Sequence, residues 1–206
     1  FLEDLVLNKS IRLEFGKEKY DKYNRILAYV YLNGENTNLQ LVENGYANFY
    51  FPSGKDEHYQ EFFNAWEECL KEGKNLCEKS KDVCADCVLL KGLNVKEQKL
   101  ILYNKCNFDC SLKNWSIKDE GRKKFIFEDF ILKKFGEVEV VEVVVAKGKD
   151  NTENKKFSVP QTSNGKQEVQ GDNILYWKGY DYIWTSSGDS LFLRDSGGKL
   201  VLWEGY

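Results

Sequence analysis

The chain has 206 residues, 42% of them hydrophobic and 15% aromatic, so it can bury a sizeable core and is not mainly disordered. Thirty basic against 33 acidic residues give a net charge of −3, so the chain as a whole has no basic field to attract nucleic acid. No apolar run approaches the roughly 18 residues that a membrane span needs, and we predict none. A nucleic-acid site would therefore depend on a local basic patch.

The start of the sequence indicates a position inside a longer protein. There is no Met in the chain, and Phe1 opens within an apolar pattern typical of the last turns of a helix. Apolar and charged residues then alternate over 11–15, which predicts a half-buried strand. Residues 26–32 predict a second strand, which ends at a turn formed by Asn33 and Gly34.

Two helices are predicted next. A short one over residues 39–46 has Gly45 available as its C-cap. A longer amphipathic one ends at Gly73 and carries an aromatic stripe that we assign to the core. The stripe consists of Tyr59, Phe62, Phe63, Trp66 and Leu70.

The pattern changes after residue 78. Residues 79–86 are polar and predict a linker, and no convincing helix follows. Eight short strands are predicted, at 87–93, 99–105, 115–119, 124–131, 137–145, 173–178, 190–194 and 199–203. Polar turns separate them, as in a β-sandwich or barrel, and residues 146–172 predict an extended surface loop.

A run of residues in the first part carries a family resemblance. Asp21 to Arg25 reads Asp-Lys-Tyr-Asn-Arg and leads directly into the strand Ile-Leu-Ala-Tyr-Val-Tyr-Leu. With the strings at 38–45 and 68–76, this resembles the C-terminal half of a thermonuclease (staphylococcal-nuclease-like) domain. The match covers about residues 1–77, although Asn24 replaces the usual Gly and Cys77 the usual Trp.

The resemblance implies that residues 1–78 form a partial OB-type β-barrel with helices, lacking its N-terminal strands. It also implies a calcium-dependent nuclease that hydrolyses DNA or RNA phosphodiester bonds. Arg25 aligns with a catalytic arginine that neutralises charge on the phosphate. The calcium ligands, the general base and the first arginine are expected before Phe1, so this chain alone is predicted to be inactive.

Nucleic-acid-binding residues follow from the same alignment. Lys22 and Tyr23 align beside the bound nucleotide, and Tyr50 is a weaker candidate for base stacking. Six basic residues between 9 and 25 predict a local phosphate patch, with ordinary solvated charge as the alternative. They are Lys9, Arg12, Lys17, Lys19, Lys22 and Arg25. His58, the only histidine, has no acid or nucleophile pattern around it in the sequence and is assigned no role.

A second resemblance covers residues 87–206. The string at 111–119, Ser-Leu-Lys-Asn-Trp-Ser-Ile-Lys-Asp, and the later Leu-Tyr-Trp and Ser-Gly-Asp strings resemble lamin tail domains. The resemblance implies an immunoglobulin-like all-β sandwich with no catalytic residues, acting as a binding or anchoring module. Trp115, Trp177 and Trp184 are then core residues, with carbohydrate or partner contact as the minority alternative.

Six cysteines are present, and four of them converge if the strands at 87–93 and 99–105 pair as a hairpin centred near Lys96. Cys87 then faces Cys106, and Cys84 falls near Cys110. Two disulfides with these pairings, a four-cysteine zinc site and buried free thiols are the alternatives, and we favour the disulfides.

The combined interpretation is a secreted or cell-surface nuclease with a lamin-tail binding domain, acting on DNA or RNA and expected to be a monomer. Calcium belongs to the full-length parent. The alternative function is a non-catalytic nucleic-acid or cell-surface binding protein whose nuclease fold has lost its acidic residues.

Overall fold

The computed structural model describes residues 1–21, 23–51, 54–143, 174–178, 180 and 182–206. The chain divides into two compact units, Phe1–Lys79 and Ser80–Tyr206. None of the helices in the described ranges is long and apolar enough to cross a membrane. The predicted surface loop over 146–172 falls outside the described residues.

Three short strands form an open antiparallel sheet in the first unit. They are β1 (Arg12–Glu14), β2 (Tyr29–Leu32) and β3 (Glu35–Asn36), in the order β1-β2-β3. The turn between β2 and β3 places Asn33 at φ 52° and Gly34 at φ 92°, as expected for an Asn-Gly turn. Within the described residues of this unit, the strands do not close a barrel.

The two predicted strands of this sheet both differ from the structure. Leu13 on β1 is 41% exposed, more than a half-buried strand implies, because β1 lies at the sheet edge and pairs only with β2. The strand predicted over 26–32 begins at Tyr29 instead. Ile26 makes only an isolated bridge to Tyr20, because a tight turn precedes it.

Three α-helices and one 3₁₀ turn complete the described part of the first unit. Asn36 caps the second one by accepting hydrogen bonds from the backbone of Asn38 and Leu39 at 3.0 and 3.2 Å. The helices are α1 (Leu2–Val6), α2 (Thr37–Glu43), α3 (Tyr59–Glu72) and a 3₁₀ turn (Asn75–Cys77).

Helix α3 provides most of the core of this unit. Phe62 and Trp66 from the predicted stripe are buried, together with Ala65 and Cys69 one turn apart. Gly73 ends the helix in the left-handed conformation, at φ 65°, as predicted. A disulfide joins Cys69 to Cys77 in the 3₁₀ turn, so the helix end is covalently fixed.

The second unit is built from β-strands, and no helix occurs among its described residues. Its strands are β4 (Val88–Asn94), β5 (Lys99–Asn104), β6 (Cys110–Ser111), β7 (Ser116–Lys118), β8 (Lys124–Ile126), β9 (Ile131–Leu132), β10 (Glu137–Val143), β11 (Ile174–Lys178), β12 (Ser190–Arg194) and β13 (Leu200–Gly205). One four-stranded sheet has the order β11-β10-β5-β4 and another β13-β12-β7-β8, while β6 pairs with β9.

Both four-stranded sheets contribute to one hydrophobic core. Leu102 and Val138 from the first sheet and Ile117 and Leu193 from the second are each fully buried in the same cluster. Three tryptophans are buried in this core as predicted: Trp115, Trp177 and Trp184. The assignment of these three tryptophans to the core, which followed from the second family resemblance, is therefore confirmed.

The strand predicted over 124–131 is instead two strands, β8 and β9, in different sheets. Phe127 and Phe130 are both buried in the core. Residues three apart point to opposite faces of an extended strand, so the chain must bend between them to bury both rings. The prediction of one continuous strand was wrong for this reason.

The cysteines of the second unit form disulfides between Cys87 and Cys106 and between Cys84 and Cys110. No thiol is left at these positions for the alternative zinc site or for free thiols. The hairpin register is the predicted one from Gly92 to Asn94 and differs by one residue from Val88 to Leu90. An irregularity between Leu90 and Gly92 shifts the pairing, so Cys87 lies opposite the residue before Cys106.

The segment predicted as a linker is attached to the second unit. The backbone N–H of Ser80 donates to the carbonyl of Leu200 at 2.8 Å, and its hydroxyl donates to Asp195 at 2.5 Å. The Cys84 disulfide then fixes the rest of the segment. The segment is polar because its side chains make specific hydrogen bonds instead of burying apolar surface. This polar composition is the reason why the sequence predicted a linker.

Gly45 offers a test of the packing of the first unit. A Cβ at this position would collide with the carbonyl oxygen of Lys74, whereas a Cβ at Gly34 meets nothing within 4 Å. Both glycines have positive φ, so an alanine strains the backbone at either site. We expect Gly45→Ala to lower the free energy of unfolding by about 1–3 kcal/mol more than Gly34→Ala. Urea denaturation of the full chain measures the difference, and equal effects would contradict the packing.

The disulfides of the second unit give another test. Replacing Cys87 and Cys106 with serine opens a loop with a sequence separation of 19, which should destabilise this unit by about 3 kcal/mol. Hydrogen exchange in β4 and β5 should accelerate accordingly. The matched control replaces Cys69 and Cys77, and should accelerate exchange in α3 instead. Unchanged protection of β4 and β5 would show that this disulfide adds no stability.

Candidate functional site

A turn at residues 21–25 holds Arg25, the residue predicted to be catalytic. The Asp21 Oδ1 atom accepts hydrogen bonds from the backbone N–H groups of Tyr23 and Arg25 at 2.8 and 2.9 Å. Its Oδ2 atom accepts from Arg25 Nε at 2.6 Å and lies 2.5 Å from Nη2. Asn24 occupies the left-handed region at φ 61°, which Gly and Asn adopt most readily. The replacement of the usual Gly by Asn24 therefore preserves the turn.

The Asp21 carboxylate fixes the plane of the guanidinium group. The backbone hydrogen bond from Arg25, followed by its side-chain hydrogen bond, holds the pKa of Asp21 below its usual value. Asp21 is therefore ionised at neutral pH. The Arg25 side chain is 59% exposed, so a phosphate in solution can reach the N–H donors that Asp21 does not use.

The predicted nucleic-acid-binding residues lie on two segments. The Arg25 Cζ atom lies 5.3 Å from the centre of the Tyr23 ring, and Tyr23 is 64% exposed. Tyr50 follows α2 and is 56% exposed. Lys22 falls outside the described residues. The structure brings Tyr23 and Arg25 together, while a shared surface with Tyr50 remains a prediction.

Besides Arg25, other cations of the predicted phosphate patch also have partners within the unit. Arg12 Nη1 donates to Glu14 Oε2 at 2.9 Å, and its guanidinium lies 4.0 Å from the centre of the Tyr31 ring. The Lys19 ammonium lies 4.7 Å from the centre of the Phe15 ring. Arg12 and Lys19 therefore each lie against an aromatic ring, and contact of these groups with nucleic acid remains a prediction.

A cavity of about 590 Å³ lies between β1, β2 and the start of α3. On its wall, the hydroxyl of Tyr29 donates to Asp56 Oδ2 at 2.5 Å, and Asp56 Oδ1 accepts from the backbone of His58 at 2.9 Å. The cavity is lined by Glu14, Phe15, Gly16, Lys17, Tyr29, Lys55, Asp56, Glu57 and His58.

His58, which was assigned no role from the sequence, has acidic partners on both ring nitrogens. Its Nε2 atom lies 2.9 Å from Glu14 Oε1, and its Nδ1 atom lies 3.6 Å from Glu61 Oε2. Glu14 is 44 residues away in the sequence, so only the fold brings it near. Glu57 and Glu61, adjacent to His58 and one helical turn beyond it, were the local signal that could have indicated the cluster.

Electrostatic interactions couple Glu14 and His58. Burial acts to lower the pKa of His58, but the hydrogen bond with Glu14 and the nearby carboxylate of Glu61 outweigh it and raise the pKa overall. The hydrogen bond from Arg12, followed by that from His58, lowers the pKa of Glu14. The two groups are therefore oppositely charged over a window between their ordinary pKa values.

The described residues do not offer a calcium site of the type that the resemblance implies. Within those ranges, Glu14, Glu57 and His58 form one group of three side chains able to hold a metal ion. Calcium takes six to eight oxygen ligands, and the imidazole of His58 does not fit that set. We therefore derive no catalytic step through calcium from this chain.

Comparison with known proteins identifies the first unit. Residues 1–79 match the family described as Staphylococcal nuclease homologue. Over 79 residues, the chain is 34% identical to a thermonuclease from Staphylococcus intermedius, covering 38% of this chain and 47% of that protein. The first unit is thus a staphylococcal-nuclease-like domain.

Two further relatives match the same part of the chain. Endonuclease YhcR from Bacillus subtilis is 41% identical over 69 residues, which is 32% of this chain and 6% of that protein. A thermonuclease from Staphylococcus hyicus is 41% identical over 63 residues, which is 30% of this chain and 36% of that protein. The chain therefore spans less than half the length of each of these curated relatives.

The Glu14–His58 pair should make stability depend on pH. Its contribution is lost as pH falls through the lowered pKa of Glu14, and also as pH rises through the raised pKa of His58. We expect His58→Asn to lower the free energy of unfolding more at about pH 6 than at about pH 9. Urea denaturation in the presence of a chelator measures this difference.

The control for this pH test is Glu68→Gln, because Glu68 pairs with Lys71 at 3.1 Å rather than with the histidine. The control should show no such change between the two pH values. An equal loss of stability in His58→Asn at both pH values would contradict the coupling.

Proposed function

We propose that the first unit binds the phosphodiester backbone of DNA or RNA as part of a nuclease, with Arg25 as its phosphate-binding catalytic residue. The observation that carries this proposal is the family match over residues 1–79 together with the ordered Asp21–Arg25 pair at the surface. A guanidinium held in one plane presents N–H donors that match a phosphate, as a flexible ammonium does not.

Tyr23 and the rings that contact Arg12 and Lys19 are proposed to supply the rest of the contact. An exposed ring beside a guanidinium can stack on a base while the cation contacts the neighbouring phosphate. The Tyr23 ring has this position relative to Arg25. Lys22 and Tyr50 are proposed as further contacts on the basis of the family alignment alone.

The complete reaction is proposed for the intact protein rather than for residues 1–206. The alignment with the Staphylococcus intermedius thermonuclease accounts for 47% of that protein. We place the calcium ligands, the general base and the first arginine in the part of the fold that this alignment leaves uncovered. The OB-type barrel is proposed on the same basis.

The alternative is a non-catalytic nucleic-acid or cell-surface binding protein. Both proposals share the Arg25 contact and differ only in whether the intact protein supplies the missing carboxylates. The chemistry of binding can therefore be tested separately from turnover.

The second unit is proposed to be a lamin-tail-like binding or anchoring domain with an immunoglobulin-like sandwich. Two four-stranded sheets that share one core support this proposal. Three disulfides in the described residues are compatible with an extracellular location, where such bonds persist, and we propose a secreted or cell-surface protein.

Binding of labelled single-stranded DNA, measured by fluorescence anisotropy at several salt concentrations, tests the proposal. Arg25→Ala should weaken binding and reduce the slope of log affinity against log salt by about 0.7, the value for one phosphate contact on a single strand. The control is Lys71→Ala, because Lys71 is exposed and paired with Glu68 on α3. Equal slopes for wild type and Arg25→Ala would remove Arg25 from the site.

The same samples test turnover. With millimolar calcium present, residues 1–206 should leave the DNA intact, because the metal-ligating group found in the described residues includes an imidazole, which does not suit calcium. Cleavage that Arg25→Ala abolishes would show instead that this chain carries a complete active site.

A further inference from the structure

The three metal-ligating side chains at the cavity lie in a compact arrangement. Glu14, Glu57 and His58 each offer one ligand atom, and these atoms all lie within 4.8 Å of one another. All three side chains line the 590 Å³ cavity, which has room for an ion and for water. Ligand atoms that share one zinc ion at about 2.0–2.2 Å lie closer together than this, so binding requires the three side chains to move toward one another.

The ligand types select a class of metal. Imidazole combined with carboxylates suits zinc and its neighbours in the first transition series, whereas calcium and magnesium take oxygen ligands. All cysteines in the chain are in disulfides, so no thiolate competes for such an ion. Three protein ligands would leave one position of a tetrahedral site open toward the cavity.

His58 is oriented as a metal ligand would be. Its Nε2 atom faces Glu14 in the cluster, while its Nδ1 atom lies 3.6 Å from Glu61 Oε2 outside it. Histidines that bind metals usually direct the other ring nitrogen to a carboxylate, which fixes the tautomer and raises the basicity of the ligand atom. Glu61 would be the positioning residue in this arrangement.

The charges around the cluster favour a cation despite nearby basic groups. Arg12 engages Glu14 Oε2, which leaves Oε1 directed at His58. Asp56 is occupied by Tyr29 and by the backbone of His58, so it contributes charge rather than a ligand atom. Four carboxylates (Glu14, Asp56, Glu57, Glu61) therefore surround the site against three cations (Arg12, Lys17, Lys55).

We propose that Glu14, Glu57 and His58 bind one divalent transition-metal ion, with zinc as the probe. This site is separate in chemistry from the calcium site of the proposed nuclease, and its test uses no nucleic acid. Binding of zinc would displace the Glu14–His58 hydrogen bond and replace it with two metal–ligand bonds. The failure of one proposal therefore leaves the other standing.

Calorimetric titration of the full oxidised chain with zinc chloride tests the site. We expect one zinc ion per chain, with affinity reduced by at least about tenfold in His58→Asn and in Glu57→Gln, and also reduced in Glu61→Gln. Glu57 is exposed, so Glu57→Gln should fold normally even if His58→Asn does not. The matched control is Glu67→Gln on α3, the helix that also carries Glu61, and this variant should bind zinc as wild type does.

Nuclear magnetic resonance gives an independent measurement, because His58 is the single histidine of the chain. Zinc should shift the Nε2 signal of its ring, and calcium at the same concentration should not. Absence of zinc binding, or zinc binding that is unchanged in both His58→Asn and Glu57→Gln, would overturn the proposal. An equal response to calcium would overturn the proposed metal class.

Discussion

Helix α3 is fixed at both of its ends, and the organisation of the first unit depends on this constraint. Its apolar face buries Phe62 and Trp66, which contributes several kcal/mol by the usual cost of truncating such residues. The Cys69–Cys77 disulfide holds its C-terminal end. Its N-terminal end is held through Asp56, which links the start of the helix to β2. His58 is positioned as a consequence of these contacts.

Carboxylates near α3 have different roles because of their different partners. Asp56 accepts hydrogen bonds from the Tyr29 hydroxyl and from the backbone N–H of His58, so its role is structural. Asp21 has a comparable role in the turn at residues 21–25. Glu14 and Glu57 instead each have an oxygen atom within 4.8 Å of a ring nitrogen of His58, beside the cavity. Asp21 and Asp56 thus organise the backbone, whereas Glu14, which accepts from Arg12 and contacts His58, would exchange its His58 contact for a bond to the ion.

The sequence predicted local features far better than contacts between distant segments. The aromatic stripe and Gly73 identified α3 because helical spacing and a left-handed cap are local signals. The contact between Glu14 and His58 could not be read from the sequence, since it spans 44 residues. The predicted hairpin register is shifted by one residue beyond the irregularity between Leu90 and Gly92, because such an irregularity leaves little trace in an alternating pattern. A disulfide can bridge an offset of one residue, so the predicted pairing of Cys87 with Cys106 was still correct.

In the proposed phosphate site, the Asp21–Arg25 pair would fix the geometry of the guanidinium group at the expense of its charge. Asp21 neutralises much of the positive charge of Arg25, which weakens the long-range attraction of a nucleic acid. In exchange, the guanidinium does not have to be ordered when a phosphate arrives, so the entropic cost of binding falls. In the first unit the long-range attraction must then come from neighbouring cations such as Lys19, and the turn supplies orientation. Removal of Asp21 would therefore increase net charge while impairing the alignment of Arg25, so its effect on affinity and on catalysis should differ.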